Sequence, residues 1–528
     1  MTDSRQYVLA IDLGTGGPKV GLVDDTGRVV VSAFERNTIT FLPDGGAEQD
    51  ANEWWQSILR TAKRVLAQAS VPLKSVVAVA CTSQYAAIVA VDTNGEPLMN
   101  AISWMDTRGG PYNQRITRGF PAIEGYGLTR LIQWVRLTGG IPTNSGVDDL
   151  GHMLFIKNER PDVYRMTYKF LEPMDYVTMR LTGIAAATQS SVWTMLLTDS
   201  RQADCLKYHA GLLQISGIDA DKLPTLLPKQ SIVGTLLPSV AEDLGLPPGT
   251  VVVSGAADVH TSIIGSGAVR DYEAVIVLGS STFLSCHVPS KKTDITSFMS
   301  TIPSPLHGRY VLFGEMDGTG PKVLDAFLAN LVYSKDPLLC QEPPQDMYDR
   351  VSQAAGEIPP GSDGVLFLPW FNGTLSPQED ASMRGGVVNI SYKTTRAHLV
   401  RALLEGICYN SRWVLGAAER FVGRRFPYLR LAGGGAQSDT WAQIMADVLN
   451  LPIHQQADPR NGNVLGMAFL AFLRLGRIRL EDIPGMVPIA HVFEPRPENR
   501  ETYDRLFTQF MVCQKKLKPV FHALNRTG

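Results

Sequence analysis

Two ten-residue stretches half a chain apart, VLAIDLGTGG (8–17) and EAVIVLGSST (273–282), constrain this sequence more than any other feature. In each, a short apolar run meets a turn of small residues and a second run follows. The first comprises residues 7–11, the turn 12–17 and residues 19–23; the second comprises 274–278, the turn Gly279-Ser280-Ser281-Thr282 and residues 283–288. Apolar runs of this length bounded by Gly and Asp read as strands rather than helices. A further strand, 28–32, follows the turn Asp24-Asp25-Thr26-Gly27. An internal echo of this kind predicts two similar domains, each opening on a hairpin.

The length, 528 residues, accommodates that reading at roughly 150 residues per domain. The breaker-rich segment 244–249, LGLPPG, divides the chain into expected domains 1–248 and 249–528. Between the hairpins, 75–82 and 87–91 read as paired strands, and 251–254 as a strand entering Gly255-Ala256-Ala257-Asp258. Residues 394–421 read as a long helix. A strand at 429–432 leads through Gly433-Gly434-Gly435 to Ser438, placed to cap a helix with Trp441, Ile444, Met445, Val448 and Leu449 on one face.

With 49 Lys+Arg against 51 Asp+Glu the charge is -2, which argues against a phosphate-neutralising nucleic-acid face. Six cysteines without a CxxC pair exclude a disulfide scaffold or zinc ribbon and suit a reducing cytosol. No signal peptide is expected, because the start MTDSRQYVLAID is polar and then meets an acid, and no membrane span, because the apolar runs break well before 18 residues.

Four segments carry residue types suited to chemistry. In DLGTGGPK (12–19) an acid ends a strand, glycines follow, and Lys19 closes the turn. Bare backbone N–H groups can approach phosphate oxygens there, and Asp12 could hold a hydrated Mg²⁺. An ordinary Gly-rich hairpin is the competing reading. Gly433 to Ala436 could pass flat against a nucleobase, or could simply allow close strand–helix packing. Asp258, among small neighbours at a strand end, could accept a hydroxyl proton or cap a helix. Trp104, Asp106 and Arg108 supply the wall and polar partners a sugar needs, or a surface ion pair beside a core Trp. His260 reads as structural, and no HxxxH spacing suggests a metal.

Taken in order, these segments resemble the FGGY family of carbohydrate kinases over nearly the whole chain, most like its xylulose kinase branch. IDLGTGGPK is similar to the first phosphate motif, LGSST to the second, LAGGGAQSDTWAQIMADVLNLPI to the adenosine motif, and SGAADVHTSIIGSGAV to the block with the catalytic Asp. EQDANEWWQSI, SQYAAIVAVDTNGEPLMNAISWMDTRG, LEPMDYVTMRLTG and GVLFLPWFNGTLSPQEDASMRGG resemble further blocks. The resemblance implies an α/β chain of two actin-like, ribonuclease-H-like domains around a central cleft, using ATP and Mg²⁺. It implies Asp258 as general base and Asp12 as the metal acid. Gly14, Thr15, Gly16 and Lys19 would face phosphates from one side and Gly279, Ser280 and Ser281 from the other. Gly434, Gly435 and Ala436 would line the adenosine site, and Gln84, Tyr85, Trp104, Asp106, Arg108 and Asp258 the sugar site. The partner implied is a small sugar or polyol, with neither nucleic acid nor membrane. The expected location is cytoplasmic, and a homodimer is compatible with the family.

Departures bear on the substrate. Gln84-Tyr85-Ala86-Ala87 stands where xylulose kinases carry Gln-Met-His-Gly, and the Arg-Glu of glycerol kinases is absent. Gly373-Thr374-Leu375 replaces Gly-Glu-Arg, Gln189 and Val192 replace polar residues, and His152 and Phe155 replace a Lys and a Trp. Three functions therefore compete: a kinase of a ketose or polyol, a non-catalytic sugar or nucleotide sensor, and an actin-like ATPase.

Overall fold

The computed structural model describes residues 5–525 apart from 280–281, 317 and 337–338. Its architecture repeats. In the first sheet the strands run in the order Ile232–Thr235, Val251–Ala257, Val76–Ser83, Tyr7–Gly14, Gly17–Asp24 and Val29–Phe34. In the second, Met299–Pro303, Tyr310–Glu315, Thr282–Val288, Ala274–Leu278, Leu429–Ala432, Ile453–Gln456 and Ile489–Phe493 follow the edge strand Thr293–Asp294. Each sheet joins an antiparallel meander to two parallel strands, with an antiparallel strand beyond them. The two echoing hairpins occupy equivalent places, which is the actin-like arrangement.

Both hairpins are longer than their sequence signatures. In the first, Asp12 pairs with Lys19 and Gly14 with Gly17, leaving Thr15-Gly16 as the bend. Gly17 has φ +128°, and a Cβ there would lie 2.1 Å from the Glu35 carbonyl oxygen, so only glycine fits. Helix ends follow local chemistry. Asp50 accepts from the Asn52 N–H at 2.8 Å and starts helix Ala51–Gln68, which buries Trp54 and Trp55. Ser438 accepts from the Trp441 N–H at 3.2 Å and caps Asp439–Leu449 as expected. The long helix spans Arg396–Val422.

Two expectations are corrected. Val76–Ser83 and Val89–Val91 are strands but not partners: the first pairs in the main sheet, the second with Lys169–Leu171. The division at 248/249 also gives way. Val251–Ala257 pairs in parallel with Val76–Ser83, so it belongs to the first sheet, and the passage between sheets lies between Gly265 and Ala274. The breakers at 244–249 mark only the turn from helix Pro238–Leu244 into strand Val251–Ala257. Later the chain returns. Helix Gly462–Arg474 packs on the first sheet, burying Val464, Leu465, Ala468, Phe469 and Phe472 against Val8, Ala10, Ala78, Ala80 and Val253. It also crosses helix Asp258–Gly265 through glycines: a Cβ on Gly466 would fall 1.9 Å from the Thr261 carbonyl oxygen, and one on Gly265 1.8 Å from that of Gly462.

Candidate active site

Three parallel strands end together. Leu13, Ser83 and Ala257 are in register across Tyr7–Gly14, Val76–Ser83 and Val251–Ala257. The next residues, Gly14, Gln84 and Asp258, therefore share one sheet rim. Strands two apart are separated by roughly 10 Å, which sets the lateral separation of Gly14 and Asp258. Asp258 is half-buried and opens helix Asp258–Gly265, whose N-cap is Ala257 with no side-chain cap bond. Asp258 is therefore not the cap of this helix. Its Oδ1 accepts from the Val259 N–H at 2.7 Å.

Asp12 is buried, and desolvation raises its carboxyl above the usual range, opposed by Lys19 and by the amide of Asn463. Asn463 Nδ2 donates to both carboxylate oxygens at 3.4 Å. It stands at the start of the returning helix, and no local signal in the sequence marks it. Lys19 lies across the hairpin from Asp12, and its ammonium donates to the Arg460 carbonyl, tying the first hairpin to the second half of the chain.

The first bend is held by side chains. Thr15 donates through Oγ1 to Gln84 Oε1 at 2.8 Å and accepts from Trp104 Nε1 at 3.0 Å. Gln84 Nε2 reaches Gln49 Oε1 at 2.9 Å, and Gln49 Nε2 returns to the Thr15 carbonyl at 3.0 Å. Gln84 and Trp104 thus meet at the first bend, and Gln49, in the EQD segment, joins them without having been a candidate. Tyr85 donates to the Ser190 carbonyl at 3.1 Å and forms an aromatic wall with Trp193 and His260, at ring distances of 6.5 and 6.3 Å. His260 is fully buried and its pKa falls to about 3, through burial first and then the nearby His287 and Lys229 charges. It is neutral at working pH, in keeping with a structural role.

Beside this wall lies an acid cluster that sequence reasoning missed. Asp149, Glu172 and Asp175 are buried. The Thr194 hydroxyl lies 2.6 Å from both Asp149 Oδ2 and Glu172 Oε1. One hydroxyl proton cannot serve two carboxylates, so one acid of the pair is protonated. Burial raises all three carboxyls, and for Glu172 the Asp149 charge adds to it.

Asp106 and Arg108 do not face the cleft. The Arg108 Nη2 meets Asp106 Oδ2 and Glu48 Oε1, each at 2.7 Å, and its guanidinium lies 4.4 Å from the Phe155 ring centre. Asp106 also accepts from the Ala47 N–H at 2.9 Å. Both are buried and every strong bond is turned inward. The pair holds the loop that carries Trp104, and its expected sugar contacts are withdrawn.

On the second sheet, Gly433 has φ +87° and lies against the Leu278 backbone, and Gly435 would meet Leu278 and Trp441. Those two glycines serve packing. A Cβ on Gly434 meets nothing within 4 Å, so Gly434 faces open space beside the second bend. Ala436 is fully buried with its carbonyl taken by Gln455 Nε2 at 2.7 Å, so its side chain lines no ligand surface. Gly279 follows strand Ala274–Leu278 at this bend; Ser280 and Ser281 lie outside the described residues. The other flank of the bend is Gly320, whose added Cβ would fall 1.9 Å from Thr282 Oγ1. The helix that follows, Pro321–Phe327, brings Lys322 to a cavity of about 300 Å³ lined also by Thr15, Gly16, Asn37, Ile39, Trp104 and Met105. The cavity thus lies between the first bend and the helix that follows Gly320.

The model of the N-terminal domain of the FGGY carbohydrate kinases matches residues 7–265, and that of the C-terminal domain residues 274–475. The chain belongs to the FGGY family of carbohydrate kinases. It is 29% identical to a xylulose kinase of Bacillus subtilis over 98% of this chain and 99% of that one. Among solved structures it resembles a gluconate kinase from Lactobacillus acidophilus, with TM-score 0.84, 23% identity and coverage of 99% and 100%. A xylulose kinase from the same organism gives TM-score 0.83, 23% identity and coverage of 98% and 100%. This FGGY chain is thus a sugar kinase that transfers phosphate from ATP, on a two-domain actin-like fold. Among the described residues no helix is long and apolar enough to cross a membrane.

The same residues suit a hydrated cation. Among the described residues no cluster of three or more His, Cys, Asp or Glu could encase a metal. Asp12 alone is a buried carboxylate at the rim, with a weak neutral amide donor and a lysine already engaged elsewhere. One carboxylate, phosphate oxygens and waters is a set that Mg²⁺ accepts.

Proposed function

We propose that the acceptor is a ketose or polyol resembling D-xylulose, and that Asp258 is its general base. The sugar would lie between Trp104, Gln84 and the Tyr85–Trp193 wall. Asp258 would take the proton of the attacking hydroxyl as its oxygen bonds to the γ-phosphorus and the bridging β–γ oxygen leaves with ADP. Asp12 would organise Mg²⁺, which neutralises phosphate charge when bound. Gly14, Thr15 and Gly16 would hold phosphates from one side and the bend at Gly279 from the other, with Gly434 beside the adenosine. Domain closure would exclude water as a rival acceptor. The observation that carries this reading is the register of Leu13, Ser83 and Ala257, which brings Gly14, Gln84 and Asp258 onto one rim. The absence of disulfides among the six cysteines and the metabolic relatives support a cytoplasmic location.

The test is ADP release over a panel of ketoses, alditols and aldonates, with Asp258→Asn alongside. The parent enzyme should turn over with a ketose or polyol. The variant should bind ATP as the parent does and lose about 10²–10⁴-fold in turnover. Equal turnover in the two proteins would remove Asp258 from the role.

A further inference from the structure

We infer that Lys322 is a catalytic cation delivered across the crevice to the phosphoryl group in transfer. The inference rests on the reading of the two bends as phosphate sites. Three observations converge on it. First, Lys322 belongs to the second half of the chain, two residues after Gly320, whose Cα abuts Thr282 so closely that a Cβ would fall 1.9 Å from its hydroxyl. Second, it lines a cavity whose other walls come from the first half: Thr15 and Gly16 of the first bend, with Asn37, Ile39, Trp104 and Met105. Third, its ammonium lies 5.1 Å from the Trp104 ring centre and has neither hydrogen bond nor ion pair among the described residues.

A lysine in that position reaches from the helix beside Thr282 towards the first bend, with its donors uncommitted among the described residues. The contact with Trp104 is weak at an exposed site, so it can be exchanged for a phosphoryl oxygen when nucleotide arrives. The indole also keeps the ammonium turned into the crevice, because Trp104 is itself fixed by its bond to Thr15. As the sugar oxygen bonds to the γ-phosphorus and the bond to the bridging oxygen breaks, charge spreads over the equatorial oxygens and onto ADP. Lys322 would donate N–H bonds to the equatorial oxygens without making or breaking a covalent bond. A preformed cation there acts on the transition state more than on bound ATP. Lys19 is placed otherwise: its ammonium donates to the Arg460 carbonyl.

The experiment compares the parent, Lys322→Met and Lys322→Arg. The Met variant should lose about 10²–10³-fold in kcat with little change in KM for sugar or ATP. The Arg variant should recover part of that loss. A second readout separates chemistry from fold: tightening of ADP by aluminium fluoride in the presence of sugar should fail in the Met variant, while ATP affinity and melting temperature stay at parental values. An unchanged kcat and unchanged fluoroaluminate tightening in Lys322→Met overturn the inference. So does a loss confined to KM for sugar acids, which would make the lysine a carboxylate receptor. If the parent itself turns over with no sugar, it is the acceptor assignment that fails, whereas Lys322 is still judged by the ADP–fluoroaluminate titration.

Discussion

The acid pair beside Tyr85 shows how a single residue can set the pH response of the fold. The folded pKa of Glu172 is raised well above its ordinary value of 4.5, by burial and then by Asp149. Below that ordinary value both folded and unfolded forms are protonated and the residue is neutral in the balance. As pH rises past it, the unfolded chain ionises while the folded chain does not, so stability falls. Glu172→Gln keeps the oxygen that faces Thr194 and removes the ionisation. Melting curves of parent and variant should lie close at pH 4 and separate progressively towards pH 7.5, with the variant the more stable. A separation independent of pH would show that the shifted ionisation is not its source. At this scale the sequence was legible where chemistry coincides with a strand end. Asp12 and Asp258 became candidates that way, Gln84 through the family resemblance, and Trp104 through its neighbours. Asp106 and Arg108 misled, because an acid and a base two apart can grip each other as well as a sugar. Asn463 and Lys322 were missed because a lone polar residue at the start of an ordinary helix carries no pattern.

Among elements, the crossing of Asp258–Gly265 over Gly462–Arg474 is the joint on which the site depends. One helix begins at Asp258, and the other carries Asn463 to Asp12. Their axes approach closely because Gly265 and Gly466 leave no side chain between the backbones. Gly466→Ala inserts a methyl group 1.9 Å from a carbonyl oxygen, so the helices must part. The expected cost is about 1–3 kcal/mol of stability. Thermal melting measures that cost. Turnover should drop further than the residual folded fraction explains, since Asp258 and the Asn463 partner of Asp12 move with the helices. Parental activity in a destabilised variant would uncouple the joint from the site. Periodicity revealed the long helix to within two residues at each end, because its apolar stripe is uninterrupted. It did not reveal partners: Val89–Val91 pairs with a strand some eighty residues on, a choice that alternation alone does not encode.

At the level of the whole molecule, the echo of two hairpins correctly announced two like domains, while the boundary between them was misjudged. A Pro- and Gly-rich turn resembles a linker in composition, yet only strand pairing tells which sheet the next strand joins. The return of Gly462–Arg474 to the first sheet has no local mark at all, being one more apolar helix. It carries a prediction. A fragment ending at residue 265 keeps every strand of the first sheet but loses the helix covering Val8, Ala10, Ala78 and Ala80. Expressed alone, it should aggregate or melt without a cooperative transition. A soluble monomer with a sharp melt would show the first sheet to be self-sufficient.

That covering helix has a consequence for how the protein is made. The ribosome delivers the opening hairpin first, yet the layer that shields its sheet emerges only after more than four hundred further residues. Throughout that interval the nascent first half presents an oily face with no partner, which is the condition under which unfinished chains stick to one another. The first of the two domains to leave the tunnel is therefore finished only when most of the second has emerged.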